Sequence, residues 1–350
     1  MGRRGVRTAV SSLAGPSLVG SVAATWRSAV RGQPPGAFTA ADVPDQTGRT
    51  VLVTGSTSGV GLQAALVLAR AGARVLLTAR DPARGETALR RVAATAGGPV
   101  PEVVALDLAD LSSVTAAAAS VAARVDRLDV VLANAGVMAT PRGRTVDGFE
   151  TQIGVNHLGH FALVGRLLPL LQEAGGSLSR PPAPPRVVVV TSPAHRIGRV
   201  LVSDLSWEGR RYSAWGAYAQ SKLANLLFAR ELQRRADEHG RPLLAVAAHP
   251  GIAATGLVAG SAVGSGVVGP LARAAYDVLG QSPQAGALPL VYAATMADVR
   301  PLEVFGPAGP GQWVGAPVRV QTAPAAFDDV CAAALWITSE RLTGVEYGWS

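Results

Sequence analysis

Short apolar runs alternate with longer stretches of helical periodicity along most of this chain, and no other feature constrains its fold as strongly. Residues 50–54, 74–78, 102–105, 130–133, 187–191 and 243–247 read as strands dominated by apolar side chains. Helical patterns fill the gaps at 60–71, 84–96, 111–124, 148–173 and 217–238. A strand that is apolar on nearly every side chain has no face to give to water, so it belongs in a sheet covered on both sides. Parallel neighbours cannot be joined by a tight turn. They need a crossover, and a helix in each gap supplies one of the usual right hand. The pattern therefore predicts the α/β class, with one doubly wound parallel sheet, helices on both faces, and a single domain over residues 38–350. The Pro-rich stretch 180–185 reads as a loop leading into a strand, not as a linker between domains.

With 350 residues and 48% hydrophobic side chains, the chain can bury such a core, and global disorder is excluded. A net charge of +8 raises the question of a nucleic acid or an anionic surface as partner. The arginines are scattered, however, and neither zinc-finger spacing nor an aromatic stacking platform accompanies them, so no nucleic-acid partner is expected. Cys331 is the only cysteine, which forbids an intrachain disulfide and suits a reducing, cytoplasmic compartment. No run reaches 18 uninterrupted apolar residues, so no spanning helix is expected, and a homo-oligomer is compatible with this composition. Residues 1–37 stand apart. Arg3, Arg4 and Arg7 precede a mildly apolar stretch broken by Pro16, which shares features with a signal sequence. Val22, Trp26, Ala29 and Val30 fall on one helical face that would suit weak peripheral membrane contact. We read the segment as an unordered extension, with a surface anchor or an overlong reading frame as alternatives.

Two local patterns carry chemistry. The first strand runs into Thr54-Gly55-Ser56-Thr57-Ser58-Gly59-Val60-Gly61, a glycine-rich turn that opens a helix. Glycines let a backbone approach a pyrophosphate closely, and a helix N-terminus offers free N–H groups and the positive end of its dipole. The second pattern is Tyr218 and Lys222, one helical turn apart and so on one face. A phenol with a reference pKa of about 10 is a poor proton donor and acceptor at neutral pH, but an adjacent ammonium stabilises the phenolate and brings it toward the working range.

The TGSTSGVG turn, followed in order by Asp107-Leu108, Asn134-Ala135-Gly136, Asn156, Ser192, Tyr218-Ala-Gln-Ser-Lys222 and His249-Pro250-Gly251, resembles the short-chain dehydrogenase/reductase family over residues 40–346. The stretches GFETQIGVNHLGHF, YAQSKLANLLFARELQRR and LWITSERLTGV are similar to its retinol-dehydrogenase-like branch, which includes protochlorophyllide-reductase-like and WW-domain-oxidoreductase-like members. The resemblance implies a Rossmann-type fold and hydride transfer between a nicotinamide cofactor and a carbonyl or alcohol. It makes Ser192 the group that orients the substrate oxygen, Tyr218 the acid/base and Lys222 both the tuner of Tyr218 and a ribose ligand, with Asn156 supporting a proton relay. On the cofactor side it implies Gly55, Ser58, Gly59, Val60, Gly61, Asp107, Leu108, Asn134, Ala135, Gly136, Pro250, Gly251, Ile252 and Thr255. Thr191 stands where many members carry a second serine, and Pro193 directly follows the catalytic serine. Both depart mildly from the family pattern.

The second strand ends in Thr78-Ala79-Arg80-Asp81-Pro82. An NAD-selecting site needs a carboxylate near here for the ribose 2′-OH, whereas an NADP site needs a cation for the 2′-phosphate. Ala79 occupies the carboxylate position and Arg80 follows it, while Asp81 suits the N-cap of the helix that Pro82 begins. NADP(H) is therefore the expected cofactor, with NAD(H) the lesser alternative. The branch leans toward apolar substrates, and 256–280, rich in Gly, Val, Ala and Leu, reads as an apolar substrate lid. His157 and His160 have metal-like spacing but lack a third ligand, so packing is the expected role and no metal is expected. His195 reads as a loop histidine. A silent dinucleotide-binding sensor on the same fold is the alternative function. The presence of the serine, tyrosine and lysine together favours the enzyme.

Overall fold

A computed structural model describes residues 36–176, 183–252 and 280–349. Eight strands among them form one sheet: β1 (Thr50–Val53), β2 (Arg74–Ala79), β3 (Glu102–Ala105), β4 (Val130–Ala133), β5 (Arg186–Val190), β6 (Leu244–Ala248), β7 (Val304–Pro307) and β8 (Pro317–Arg319). They lie side by side in the order β3-β2-β1-β4-β5-β6-β7-β8. The first seven pair in parallel, and β8 runs antiparallel to β7. This is the doubly wound Rossmann arrangement that the alternation predicts. The chain builds outward from β1 to β3, then crosses back to β4 on the other side of β1, and such a reversal opens a crevice at the carboxyl ends of the strands.

Successive strand residues point to opposite faces, and the two faces fill differently. Val51, Val53, Val75 and Leu77 pack under α1 (Gly59–Arg70), α2 (Pro82–Ala93) and α6 (Pro283–Thr295), against Leu62, Leu68, Val92 and Leu290. Leu52, Leu76, Val131 and Val189 point the other way, toward α3 (Leu111–Ala122), α4 (151–176) and α5 (Ala214–Glu238), against Val114, Phe161, Leu167 and Phe228. The helix α4 comprises a first turn at Thr151–Ile153, a π-helical stretch at Gly154–Leu158 and a regular α-helix over Gly159–Gly176. A last helix, α7 (Asp329–Thr343), lies on α5 and adds Trp336 to the second core.

The six expected strands and five expected helices are all present, with ends shifted by a few residues. The long helix expected from 148 begins at Thr151, and α5 starts one turn earlier than expected, where Ser213 Oγ accepts from Gly216 N. The strands β7 and β8 and the helix α6 lack a sequence signal of their own, whereas α7, an addition to the expected helices, is bounded by Asp328 as N-cap and by Gly344 in the left-handed region. β7 reads Val-Phe-Gly-Pro, too short and too broken for an apolar run. α6 is apolar on nearly all sides and contains Pro289, so it carries little 3.6-residue periodicity. The expectations for residues 1–35, for Thr255 and for most of the apolar lid at 256–280 lie outside the described residues.

Candidate active site

Over the carboxyl ends of β1, β2, β4, β5 and β6 lies a cleft of about 960 Å³. It brings together every cofactor-side residue singled out from sequence apart from Thr255, and it also takes in Ser192. At one end is the glycine turn. Gly55 has a φ of +66°, and a Cβ there would lie 2.8 Å from the Cα of Ala135. A Cβ on Gly61 would lie 2.4 Å from both Asn134 Nδ2 and Gly55 O, so only glycine lets the helix start this close to β4. Side chains clamp the turn from below. Thr54 Oγ1 accepts from Asn134 N at 2.8 Å and Ala135 N at 2.9 Å, and Ser56 Oγ accepts from Thr78 N at 2.8 Å. Ser58 is the N-cap residue of α1 but makes no side-chain cap bond, so its hydroxyl leaves the amides of the first turn, which line the cleft, unclaimed. This cradle fits a pyrophosphate.

Next to it, Ala79 ends β2, and Arg80 and Arg84 line the same cleft. Asp81 is engaged as the cap of α2, its Oδ1 accepting from Ala83 N at 2.8 Å and Arg84 N at 3.3 Å. Arg84 Nη2 donates to Ser58 Oγ at 3.3 Å, tying a second guanidinium to the glycine turn. Sequence reasoning passed over Arg84, although its place four residues after Arg80 in the first turn of a helix was legible.

At the other end stand Ser192, Tyr218 and Lys222, from two elements. Ser192 follows β5 and caps the 3₁₀ turn Pro193–Ile197, its Oγ accepting from Ala194 N at 3.3 Å. That bond uses a lone pair and leaves the O–H free to donate. Pro193 supplies the fixed φ of the turn's first residue, which gives its departure from the family pattern a structural reason. His195 is buried behind this serine rather than in the cleft; its Nδ1 lies 2.7 Å from Ser192 O, and its Nε2 accepts from Ala323 N at 3.3 Å. Tyr218 and Lys222 project from α5, with Lys222 Nζ 5.8 Å from the centre of the tyrosine ring. Thr191 Oγ1 donates to Lys222 O at 2.8 Å and so ties β5 to α5.

Asn156 does not line the cleft. It is wholly buried in the π-helical stretch of α4, where Oδ1 accepts from Val137 N at 2.8 Å and Nδ2 donates to Val137 O and Ser221 Oγ, both at 2.9 Å. It clips the Asn134–Val137 floor to α5, and a Cβ on Gly136 would come within 3.0 Å of its Oδ1 and 3.5 Å of Lys222 Nζ. The two histidines beside it bond in different directions: His160 Nε2 to Thr54 Oγ1 at 2.8 Å, and His157 Nε2 to Ser339 Oγ at 2.9 Å. Burial holds them down to about 4 and about 3 respectively, so both are neutral packing groups at physiological pH.

Lys222 is also buried, and burial brings its ammonium down to about 8. The sign follows from the shift. Between about pH 8 and the unfolded value of 10.5, the unfolded chain holds a proton that the folded chain has lost, so stability rises with pH there and the cost is fully present below pH 8. Its removal leaves no orphaned acceptor, because Val190 O accepts from both Lys222 Nζ at 3.1 Å and Asn225 Nδ2 at 3.0 Å. Lys222→Met is therefore expected to raise the melting temperature at pH 7 by a few degrees, about what relief of 1–2 kcal/mol gives, with the gain shrinking toward pH 10. Melting curves of the two proteins from pH 7 to 10 check it; a lower melting temperature at pH 7 would mean that the ammonium holds the fold together.

The profile of the short chain dehydrogenase family matches residues 49–263. Retinol dehydrogenase 13 of Homo sapiens is 38% identical over 304 residues, which cover 85% of this chain and 86% of that protein. Polyprenol dehydrogenase of Mus musculus is 38% identical over 311 residues, 87% of each chain. Among solved structures, an uncharacterized protein from Mycobacterium paratuberculosis is 43% identical, with a TM-score of 0.70 over 89% of this chain and 99% of that one.

Proposed function

This chain belongs to the retinol-dehydrogenase-like branch of the short-chain dehydrogenase family and is an NAD(P)-dependent oxidoreductase acting on alcohols and carbonyls; from that premise we propose that it uses NADP(H) on lipophilic substrates, with Tyr218 as acid/base. The observation that carries the proposal is the arrival of Ser192, Tyr218 and Lys222 in the cleft that begins at the glycine turn. The bound nicotinamide supplies or accepts the hydride. The unclaimed amides of Gly59, Val60 and Gly61 would hold its pyrophosphate, and Arg80 and Arg84 would offer guanidiniums to a 2′-phosphate where Ala79 brings no carboxylate. In the direction of reduction, Ser192 Oγ–H donates to the carbonyl oxygen and orients it, and Tyr218 Oη–H passes its proton to that oxygen as hydride reaches the carbon. The Lys222 ammonium stabilises the tyrosinate left behind and would hydrogen-bond the ribose of the bound cofactor. Asn156 acts by position, holding the floor beside Lys222.

The lipophilic part of the proposal is supported by the relatives, whose names are those of retinol and polyprenol dehydrogenases. The test is NADPH absorbance with a panel of aliphatic and aromatic aldehydes and ketones. Oxidation of NADPH by apolar carbonyls is the expected result. Tight NADPH binding with no turnover on any of them would favour the silent sensor.

A further inference from the structure

Among the described residues, three large apolar side chains stand in solvent around the reacting end of the cleft: Ile197 at 74% exposure, Trp313 at 40% and Trp215 at 38%. They come from three separate elements, the turn after Ser192, the connection between β7 and β8, and the first turn of α5. Apolar surface kept exposed around one concavity marks a binding surface more often than chance placement does. Trp215 sits edge-on to the Tyr218 ring with centroids 6.0 Å apart, so it is next to the proposed proton donor.

Trp313 is held more firmly than an ordinary rim residue. Its indole lies over Gly311, whose φ is +62° and where a Cβ would come within 2.9 Å of the indole Nε1. Its carbonyl accepts from Ile252 N at 2.8 Å and lies so close to Gly251 that a Cβ there would be 2.2 Å away. On the other side, Arg196 Nη1 donates to Gly311 O at 3.4 Å, and Gln312 Oε1 meets His249 Nε2 at 3.0 Å. The β7–β8 connection is thereby stitched to both walls of the cleft, through one backbone bond and the side chains of Arg196, Gln312 and His249, none of which truncation of the indole removes. A fixed, half-exposed indole costs little to order when a ligand covers it.

We propose that Trp313, with Trp215, forms the wall that reads the apolar chain attached to the reacting carbonyl, making Trp313 a specificity-determining residue. The proposal rests on the reading of the cleft as a reductase site. The class of ligand is an extended aliphatic or polyunsaturated chain bearing a terminal oxygen, since flat indole faces offer area and no polar partner.

The experiment compares the full-length chain with Trp313→Ala and Trp313→Phe on straight-chain aldehydes from propanal to decanal with NADPH, and follows decanol binding to each NADPH complex by calorimetry. In the unaltered protein, kcat/KM is expected to rise by about fourfold per methylene while the chain lies on the wall. In Trp313→Ala that slope is expected to fall below about twofold, so that the loss grows with chain length, and Trp313→Phe restores part of it. The KM for NADPH stays within about twofold, because the bond to Ile252 N is made by the backbone. A loss equal at every chain length, or one that appears in the NADPH KM, overturns the proposal. The calorimetry keeps the two readings separate. Decanol binding that weakens more than about tenfold in Trp313→Ala, without turnover in any protein, sinks the reductase reading and keeps the wall. Decanol binding that is absent from the unaltered protein, or equal in all three, sinks the wall whatever the turnover.

Discussion

Tyr218→Phe is expected to lower kcat for carbonyl reduction by at least about a hundredfold, the range lost when a positioned general acid is removed, while NADPH binds within about threefold of its usual affinity. Phenylalanine keeps the ring and its edge-on contact with Trp215. What goes is the proton path, and no other described group in the cleft replaces it. Ser192 holds a hydroxyl, which is a far weaker acid than a phenol, and Lys222 is assigned to the ribose and to the tyrosinate. Single-turnover rates together with NADPH titration separate the two effects. Retention of more than about a tenth of kcat would mean that another group supplies the proton.

The second large effect concerns the cofactor. A charge-assisted hydrogen bond is worth about 1.5–3 kcal/mol, so loss of one guanidinium from a 2′-phosphate corresponds to about ten- to a hundredfold. Arg80→Ala is expected to raise the NADPH KM by that amount and leave the NADH KM nearly unchanged. Arg84→Ala should show a smaller loss of the same selectivity, because Arg84 is partly engaged by Ser58. Ala79→Asp places a carboxylate at the end of β2, where it repels a 2′-phosphate and can accept from a ribose hydroxyl, and so should reverse the preference. Initial rates with both cofactors for the four proteins decide it. Equal penalties on NADH and NADPH in Arg80→Ala would assign that arginine to structure and remove the basis for an NADP preference.

Much of this site was legible in the sequence because its parts sit where regular elements end. The glycine turn follows a buried strand, Tyr218 and Lys222 share a helical face, and Asp81 directly precedes a proline, a pairing that marks a helix start and is observed as a cap. Arg84 was missed for a plain reason: on a chain this basic, one more arginine on a helix looks like a solvated face. Trp313 had no signal at all. It sits in an irregular connection between the last two strands of the sheet, and what fixes it is left-handed glycine backbone and a backbone bond to Ile252, none of which has periodicity. The resemblance gives Asn156 a relay role, and the structure adds one that the resemblance does not state, its side chain clipping Val137 to α5. That role depends on the π-helical stretch, a local departure from 3.6-residue repetition that apolar spacing does not encode.

The central claim, that this cleft moves a hydride between NADP(H) and a carbonyl carbon, is tested most directly by isotope transfer. NADPH carrying deuterium at nicotinamide C4, on one face and then on the other, is incubated with the protein and decanal, and the alcohol formed is examined by mass spectrometry. One deuterium on the carbinol carbon, from one face only and formed at least about a hundredfold more slowly with Tyr218→Phe, is the predicted result. Alcohol formed without label from either face, or label transferred equally well by Tyr218→Phe, would contradict it.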